Sequence, residues 1–256
     1  MALRLNAIID GPATGETLVF VHGWPDDATL WDEHVAALSD RYRCVRTTMP
    51  NFDGRRSVRW GYSTDEIVDA LAAMIREVSP DRKVTLILHD WGCYWGHLLH
   101  HRNPQLVARL AGLDIGAHVE PSAAAMLGII AYQWWLVAAF FVGGPVGDAM
   151  TRALAAAMQA PRPRAQITSW MNYPYRNVWR EILGGRARDA TKDYWPQVPL
   201  LFVYGKKKPF PFHSQKWLEH VEKNGVVAPL DCGHWVSRDP AFGPILQKWL
   251  ASSTSA

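Results

Sequence analysis

The sequence has few cysteines and no long run of like charges. Cys44, Cys93 and Cys232 are odd in number and far apart, which argues against a disulfide framework and for a reducing compartment. The net charge of +3 includes no basic block, so a nucleic-acid partner is not implied. The first residues, MALRLNAIIDGPATGE, lack the charged-then-apolar pattern of a secretory signal. We therefore expect a cytoplasmic protein.

Long apolar runs are also scarce, with one exception. Residues 126–142 read MLGIIAYQWWLVAAFFV, which is about the minimum length needed to cross a bilayer. The run contains Tyr, Gln and a pair of Trp, which a membrane span disfavours. We expect a buried amphipathic lid helix here and consider a membrane span unfavoured.

What the sequence does contain is enough apolar surface for one large domain. Its 256 residues are 48% hydrophobic and 20% charged, an ordinary balance for a globular protein that buries a sizeable core. Thirteen tryptophans are unusual and indicate an aromatic-lined cavity or a thick apolar lid. The oligomeric state does not follow from the sequence.

Strand-like and helix-like segments alternate along most of the chain. The predicted strands are residues 17–22, 43–47, 84–88, 110–114 and 199–204. Ser63 and Glu66 form a capping box that opens a helix. Such alternation predicts a parallel α/β sheet with right-handed crossovers and helices on both faces. Between residues 115 and 198 the alternation fails, which indicates a helical insertion.

Three polar clusters follow predicted strands. They are HGWP at residues 22–25, HDWG at 89–92 and DCGHW at 231–235. Parallel α/β sheets bind their ligands beyond the carboxyl ends of the strands. We therefore expect these clusters to meet in one site.

The HDWG turn resembles the nucleophile elbow of α/β-hydrolases, with Asp90 where that family often has Ser. An Asp in this place is typical of epoxide hydrolases and haloalkane dehalogenases. The order HGWP, HDWG and GHW extends the resemblance over nearly the whole chain. It implies an α/β-hydrolase fold, with a core of residues 1–118 and 199–256 and a helical lid of residues 119–198.

The resemblance gives Asp90 the role of a nucleophile that forms an ester with the substrate. A carboxylate needs no deprotonation to attack carbon, and the start of a helix favours its negative charge. The backbone N–H groups of Trp24 and Trp91 would form an oxyanion hole. His234 would act as the general base that activates water against the ester.

Two tyrosines of the insertion favour an epoxide as substrate. The segments YQWW at residues 132–135 and YPYRN at 173–177 resemble the lid segments of epoxide hydrolases that carry proton-donating tyrosines. Tyr132 and Tyr175 would thus donate hydrogen bonds to the epoxide oxygen, because a phenol with a pKa near 10 stays neutral. Tyr173 is the alternative to Tyr175.

Two other functions stay open. Haloalkane dehalogenases hold the halide with N–H donors, usually a Trp beside the nucleophile, and Trp91 fits both families. Trp24 stands where many dehalogenases have Asn, and its indole could donate to a halide. A non-enzymatic ligand-binding module of the same fold is the third reading, in which the pocket is kept and the triad acid is lost.

The acid that should orient His234 is not in its usual place. In most epoxide hydrolases it follows the strand that corresponds to residues 199–204, where this chain has Lys208. Asp114 ends the preceding predicted strand and is the best substitute, although a strand-terminal Asp can also be a simple cap. Asp231 is only three residues from His234 and is expected to point elsewhere.

The residues around the nucleophile and in the lid complete the predicted site. Leu88 and Cys93 stand where the family has small residues beside the nucleophile. A Trp-rich lid predicts a small apolar substrate. The tryptophans assigned to substrate binding are Trp134, Trp135, Trp170 and Trp179. The chemistry requires water but no cofactor and no metal.

Overall fold

A parallel sheet forms the centre of the molecule. The computed structural model describes residues 3–55, 58–185 and 193–252, and within them seven strands pair in the order β1-β3-β2-β4-β5-β6-β7. The strands are β1 (Ala7–Asp10), β2 (Thr17–Val21), β3 (Arg43–Thr47), β4 (Val84–His89), β5 (Val107–Leu113), β6 (Leu200–Gly205) and β7 (Gly225–Leu230). Strand β1 pairs antiparallel with β3, and the other neighbours pair in parallel.

Helices cover both faces of this sheet. They are α1 (Asp32–Leu38), α2 (Thr64–Val78), α3 (Trp91–Arg102), α4 (Ala123–Val142), α5 (Gly144–Ala157), α6 (Tyr173–Leu183), α7 (Gln215–Asn224) and α8 (Phe242–Ser252). Alternate residues of β2 show the two layers, since Leu18 packs with α1 and α8 whereas Val19 packs with α2, α3 and α7. Side chains of a strand point alternately to its two faces, so both faces are buried as parallel sheets require.

The helical insertion lies where the alternation of the sequence fails. Helices α4, α5 and α6 all fall between β5 and β6 and pack on one another. The side chain of Ser122 caps α4 through the backbone N–H of Ala125, and Pro174 lies in the first turn of α6, where its missing N–H costs nothing.

The parallel sheet and the Ser63–Glu66 capping box are as predicted. The two edge strands, β1 and β7, were not predicted. Strand β7 is largely exposed and contains Pro229, so it has no continuous apolar run. Strand β5 starts earlier than predicted because Arg109 lies inside it, buried against Glu16 and Thr85.

The expectation of a buried amphipathic helix at residues 126–142 is wrong. Helix α4 carries no charged residue on any side, and only 28% of its most apolar 18-residue window is buried. Among the described residues it is the one helix long and apolar enough to cross a membrane. Its inner face packs on the lid through Leu136 and Val137.

Candidate active site

Asp90 lies in a sharp turn between β4 and α3. Its φ of 53° and ψ of −122° are unusual for a residue with a side chain, and such backbone strain is typical of functional sites. The neighbouring chain comes very close. A Cβ atom on Gly23 would lie 2.4 Å from Asp90 Oδ2, and one on Gly92 would lie 2.2 Å from the carbonyl oxygen of Val21. Glycine at these two positions therefore allows the turn to form.

Helix α3 makes room for the bulky Leu88 before Asp90, and Cys93 is part of the same helix. The side chain of Leu88 lies against Gly96 of α3, where a Cβ atom would be 2.4 Å from Leu88 Cδ1. Cys93 is fully buried, and its Sγ donates to the carbonyl of Leu113 at 3.4 Å. The glycine at position 96, one turn along α3, therefore provides the space that the Leu88 side chain occupies.

Two backbone N–H groups and a histidine surround the Asp90 carboxylate. The Trp24 N–H donates to Oδ2 at 2.6 Å, the Trp91 N–H also hydrogen-bonds to this side chain, and His234 Nε2 lies 3.5 Å from Oδ1. Burial alone would raise the pKa of Asp90, but the hydrogen bond and charge of His234 lower it. The carboxylate is therefore ionised.

The structure brings Asp114 and His234 into direct contact. His234 Nδ1 lies 2.5 Å from Asp114 Oδ2, while Oδ1 accepts from Gly205 N–H at 3.0 Å and from Lys208 Nζ at 2.5 Å. Lys208 lies at the sequence position where the resemblance places the acid. Its ammonium group contacts the Asp114 carboxylate, which also contacts His234. Asp231 is exposed and pairs with Lys206 at 2.9 Å, so it points away as expected.

These contacts set the protonation of the pair. Burial alone would lower the pKa of His234, but hydrogen bonds to Asp114 and Asp90 outweigh it and raise the pKa to about 9. Burial would raise the pKa of Asp114, but the hydrogen bond and charge of His234, and then Lys208, lower it. In the resting protein His234 is therefore an imidazolium between two carboxylates.

A cavity of about 580 Å³ opens above these groups. Asp90 and His234 lie in its wall, and so do Tyr132 and Tyr175, whose ring centres are 6.2 Å apart. Burial, reinforced by the charge of Asp90, raises the pKa of both phenols. Most of the remaining wall is apolar, as in Ile129, Phe210 and Phe212.

Tyr173 lies elsewhere. It is fully buried, its ring is 6.0 Å from that of Phe52, and it fills the space beside Gly61. Its hydroxyl has no hydrogen-bond partner among the described residues, and it is not one of those that line the cavity. Of the two alternatives, the one that faces the cavity is Tyr175.

The four tryptophans predicted to contact substrate do not line the cavity formed by the described residues. Trp134 and Trp135 are nearly half exposed. The Trp134 ring makes a tilted contact with the Trp179 ring, and the Trp135 indole N–H donates to the backbone carbonyl of Met150. Trp170 is half-buried in a 3-10 turn before α6. Trp179 is half-buried and packs against the core. The prediction that these four residues contact substrate is corrected, because two of them face outward and the other two pack elsewhere in the lid.

Three buried residues near the site were missed as functional neighbours. Asn172 Oδ1 accepts the indole N–H of Trp24 at 2.9 Å and so joins the lid to the core. Asp26 Oδ2 accepts the indole N–H of Trp235, and burial raises the pKa of Asp26 to about 7. His22 Nε2 accepts from Met49 N–H, and burial lowers the pKa of His22 to about 4. The positions of His22 within HGWP and of Asp26 directly after it offered a signal, whereas that of Asn172 offered none.

Two further histidines are held by polar contacts within the fold. His89 Nε2 lies 3.1 Å from the carbonyl oxygen of His234, and burial lowers the pKa of His89 to about 4. His100 Nδ1 lies 2.7 Å from the Tyr194 hydroxyl. The described residues contain no cluster of three His, Cys, Asp or Glu that could hold a metal ion.

Comparison with known proteins places this geometry among related folds. The model of the alpha/beta hydrolase fold family matches residues 16–240. Two proteins named cis-3-alkyl-4-alkyloxetan-2-one decarboxylase are similar in sequence. The one from Shewanella oneidensis is 24% identical over 92% of this chain and 81% of its own length. The one from Xanthomonas campestris is 28% identical over 68% of this chain, which spans only 62% of that relative's length.

Solved structures agree in fold. An epoxide hydrolase from Bacillus megaterium, crystallised with a naphthyloxy-propanediol product, has a TM-score of 0.73, 18% identity and 96% coverage of both chains. A putative ancestral haloalkane dehalogenase has a TM-score of 0.70 and 16% identity, with 98% of this chain and 96% of that chain covered.

Proposed function

Since the chain belongs to the alpha/beta hydrolase fold family, we propose that it is an epoxide hydrolase. It would convert a small apolar epoxide and water into a vicinal diol, through an ester on Asp90. The observation that carries this proposal is the presence of two neutral phenols, Tyr132 and Tyr175, in the same cavity as Asp90 and His234. A carboxylate and a proton donor on opposite sides of a strained C–O bond are what ring opening requires.

In the first step, an oxygen of Asp90 attacks an epoxide carbon and the C–O bond of the ring breaks. The electron pair goes to the epoxide oxygen, which takes a proton from Tyr132 or Tyr175. The resulting phenolate then takes a proton from the His234 imidazolium or from solvent. The Trp91 side chain lies within hydrogen-bonding reach of the Tyr175 oxygen, and a hydrogen bond there stabilises the developing phenolate.

In the second step, water hydrolyses the ester. Asp90 loses its charge on esterification, and that charge is one of the causes of the raised pKa of His234. The imidazole therefore gives up its proton more readily when a base is needed. It takes a proton from water, hydroxide adds to the ester carbonyl, and the N–H groups of Trp24 and Trp91 stabilise the oxyanion. Collapse expels the alkoxide, which takes the proton of the imidazolium. The Asp90 carboxylic acid formed at the same time passes its proton to the imidazole, which restores the carboxylate and the imidazolium of the resting protein.

Lys208 and Asp114 would hold His234 during both steps. Lys208 and the Gly205 N–H occupy one oxygen of Asp114, which leaves the other oxygen for the imidazole. Because Asp114 contacts His234 at 2.5 Å, the non-enzymatic binding module, which assumed a lost acid, has little support.

Dehalogenation is the less supported alternative. The indole N–H of Trp24 already donates to Asn172 at 2.9 Å, and the Trp91 indole faces the Tyr175 hydroxyl at a ring distance of 5.0 Å. Neither is free to hold a halide without rearrangement. A halide also needs no proton, so the two phenols would have no task.

Decarboxylation of an oxetan-2-one is a second candidate, favoured by the relative whose match covers 92% of this chain. Its substrate is also a strained ring with a C–O bond that a carboxylate can open. This reaction consumes no water and releases carbon dioxide. It would therefore not require His234 as a base for hydrolysis.

One experiment separates these reactions. Wild-type protein and the His234→Gln variant are incubated with an aryl glycidyl ether, a bromoalkane and a cis-3,4-dialkyl-oxetan-2-one. We expect diol from the wild type, and in the variant a covalent adduct of the epoxide's mass on the peptide containing Asp90, read by mass spectrometry. Halide release, or carbon dioxide release that survives His234→Gln, would contradict the proposal in favour of the corresponding alternative.

A further inference from the structure

The outer side of helix α4 is an exposed apolar stripe. The helix has 20 residues and none is charged. Exposed residues follow one another three or four positions apart, so they share one face. They are Leu127, Ala131, Trp134, Ala138 and Phe141. Leu127 is 70% exposed and Phe141 is 61% exposed, which is a high apolar exposure for a face that water alone would cover.

The stripe continues onto neighbouring elements. The ring of Trp60, itself 44% exposed, lies 6.2 Å from that of Phe141. At the other end, Leu183 of α6 is 74% exposed. We call the surface formed by Leu127, Trp134, Phe141, Trp60 and Leu183 the lid face. Several large apolar residues are exposed here together rather than singly, which indicates a contact surface.

Arginines border the lid face. The guanidinium carbons of Arg59 and Arg176 lie 4.9 and 5.0 Å from the ring centre of Trp60. Arg180 follows one turn along α6 and is exposed. Burial and then repulsion from Arg180 lower the pKa of Arg176, so these like charges are close. The acid next to them, Glu181, is turned toward Thr64, whose hydroxyl donates to it at 3.0 Å.

Part of the cavity lining is exposed close to the lid face in sequence. Val119, Met126 and Ile182 line the cavity and are also 39%, 43% and 43% exposed. Met126 precedes Leu127, and Ile182 precedes Leu183. The exposed apolar part of the cavity lining therefore adjoins the lid face in sequence.

We propose that the lid face adsorbs to the surface of a bilayer that contains anionic phospholipids. Helix α4 lies in the interface with its apolar stripe among the acyl chains, and the arginines that contact lipid phosphates come from neighbouring elements rather than from α4 itself. The helix does not span, because Leu136 and Val137 are buried in the lid and Tyr132 lines the cavity. The exposed part of the cavity lining then faces the phase in which apolar substrates dissolve.

The bordering charges favour a bilayer over a second copy of the chain. In a two-fold dimer the same surface patch is contributed by both subunits. The interface would then contain two copies of Arg59, Arg176 and Arg180 and no acid from either α4. An anionic lipid surface instead supplies the opposite charge.

The test is co-sedimentation of the full chain with vesicles, without substrate. Vesicles of phosphatidylcholine alone are compared with vesicles that also contain phosphatidylglycerol. We expect the wild type to bind the anionic vesicles. Leu127→Gln with Phe141→Gln should weaken binding at least about tenfold, through lost apolar insertion. Arg176→Gln with Arg180→Gln should weaken it about tenfold through lost attraction to phosphate.

Matched controls replace exposed residues of the same type elsewhere on the surface. Ile8→Gln with Ile9→Gln changes two residues of β1 that are 47% and 44% exposed, and Arg4→Gln with Arg41→Gln removes two distant charges. Both controls should bind like the wild type, and circular dichroism checks that all variants fold. Quenching of tryptophan fluorescence by brominated lipid, reduced in Trp134→Phe, would support insertion of this face.

Three results would overturn the proposal. They are no binding by the wild type, equal loss in the control variants, and a dimer in light scattering that the Leu127→Gln/Phe141→Gln variant dissociates. Because no substrate is present, failure here leaves the proposed reaction untouched.

Discussion

The carboxyl edge of the sheet and the lid differ in the side chains that they place around the cavity: those of the edge are charged, and those of the lid are neutral. The edge delivers charge, in Asp90, Asp114 and His234, which are joined by contacts of 2.5 and 3.5 Å. The lid delivers the neutral phenols of Tyr132 and Tyr175. Charged groups lie where backbone N–H groups and counter-charges compensate their burial, whereas the uncharged α4 leaves its phenol protonated. A nucleophile and a proton donor can thus coexist at one pH.

The two regions also differ in what holds them in place. At the sheet edge the backbone does so, through the turn at Asp90 and the close approach of Gly23. The lid is joined to the core in part by buried side-chain hydrogen bonds, such as those from Trp24 to Asn172 and from Arg162 to the carbonyls of Pro25 and Asp26. Variants can therefore separate the two contributions.

Removing the Asp90 carboxylate should have the largest effect on turnover. We expect Asp90→Ala to lower kcat by about 10⁴-fold or more, the scale seen when a nucleophile is lost. Asp231→Ala is the control, because that carboxylate is 73% exposed and pairs only at the surface. Steady-state diol formation is the measurement. Retention of a tenth of the activity in Asp90→Ala would show that another group attacks.

Removing a proton donor from the lid should have the next largest effect. Tyr132→Phe and Tyr175→Phe each keep the ring and lose the hydroxyl, and we expect kcat to fall by about 10²-fold for each and further for both. Tyr173→Phe removes a buried hydroxyl outside the cavity and should leave kcat near that of the wild type. If Tyr173→Phe impaired turnover as much as Tyr175→Phe, the assignment of the second donor would be reversed.

Lys208→Met should affect stability and pH dependence together. It leaves Asp114 buried without its ammonium partner, and we expect a loss of about 3 kcal/mol in the free energy of unfolding, measured in urea. Lys208 also opposes protonation of His234. Without it the pKa of His234 rises, so the ester-hydrolysis rate should require higher pH. Lys206→Met, which breaks an exposed pair, should change neither quantity; an unshifted pH profile in Lys208→Met would contradict the coupling.

The smallest effect is the pH dependence of the wild type. Hydrolysis of the ester needs the neutral imidazole, so its rate should rise with pH and then level off. The midpoint should lie below the value of about 9 that His234 has in the resting protein, because the ester removes the charge of Asp90. Single-turnover measurements between acid and alkaline pH would check this. A rate that falls with rising pH would mean that His234 acts as an acid in this step.

Local patterns predicted the sheet edge well because its residues are set by short-range rules. A strand that ends in HDWG and continues as a helix places Asp90 at the carboxyl edge whatever the rest of the chain does. Asp114 was found by the same logic, as the last residue of a strand beside the nucleophile strand. What Lys208 contacts was not visible, since 94 positions separate Lys208 from Asp114 along the chain.

The lid was predicted less well because its residues obey no period that tells inside from outside. Helix α4 is apolar all round, so the sequence could not say that Tyr132 faces the cavity while Trp134 faces outward. The same uniformity led to the mistaken expectation of a buried helix. In such a helix the direction of each side chain depends on the neighbours that α5 and α6 provide.

The sequence by itself determined the order of strands and helices, the turn that carries Asp90 and the identity of the groups that can react. Those features depend on residue type and local spacing, which fix backbone conformation within a few positions. Only the tertiary structure decided that Lys208 contacts Asp114, that Tyr175 rather than Tyr173 reaches the cavity, and that the lid presents an apolar face outward. These depend on distances between residues far apart in the chain, which packing alone establishes.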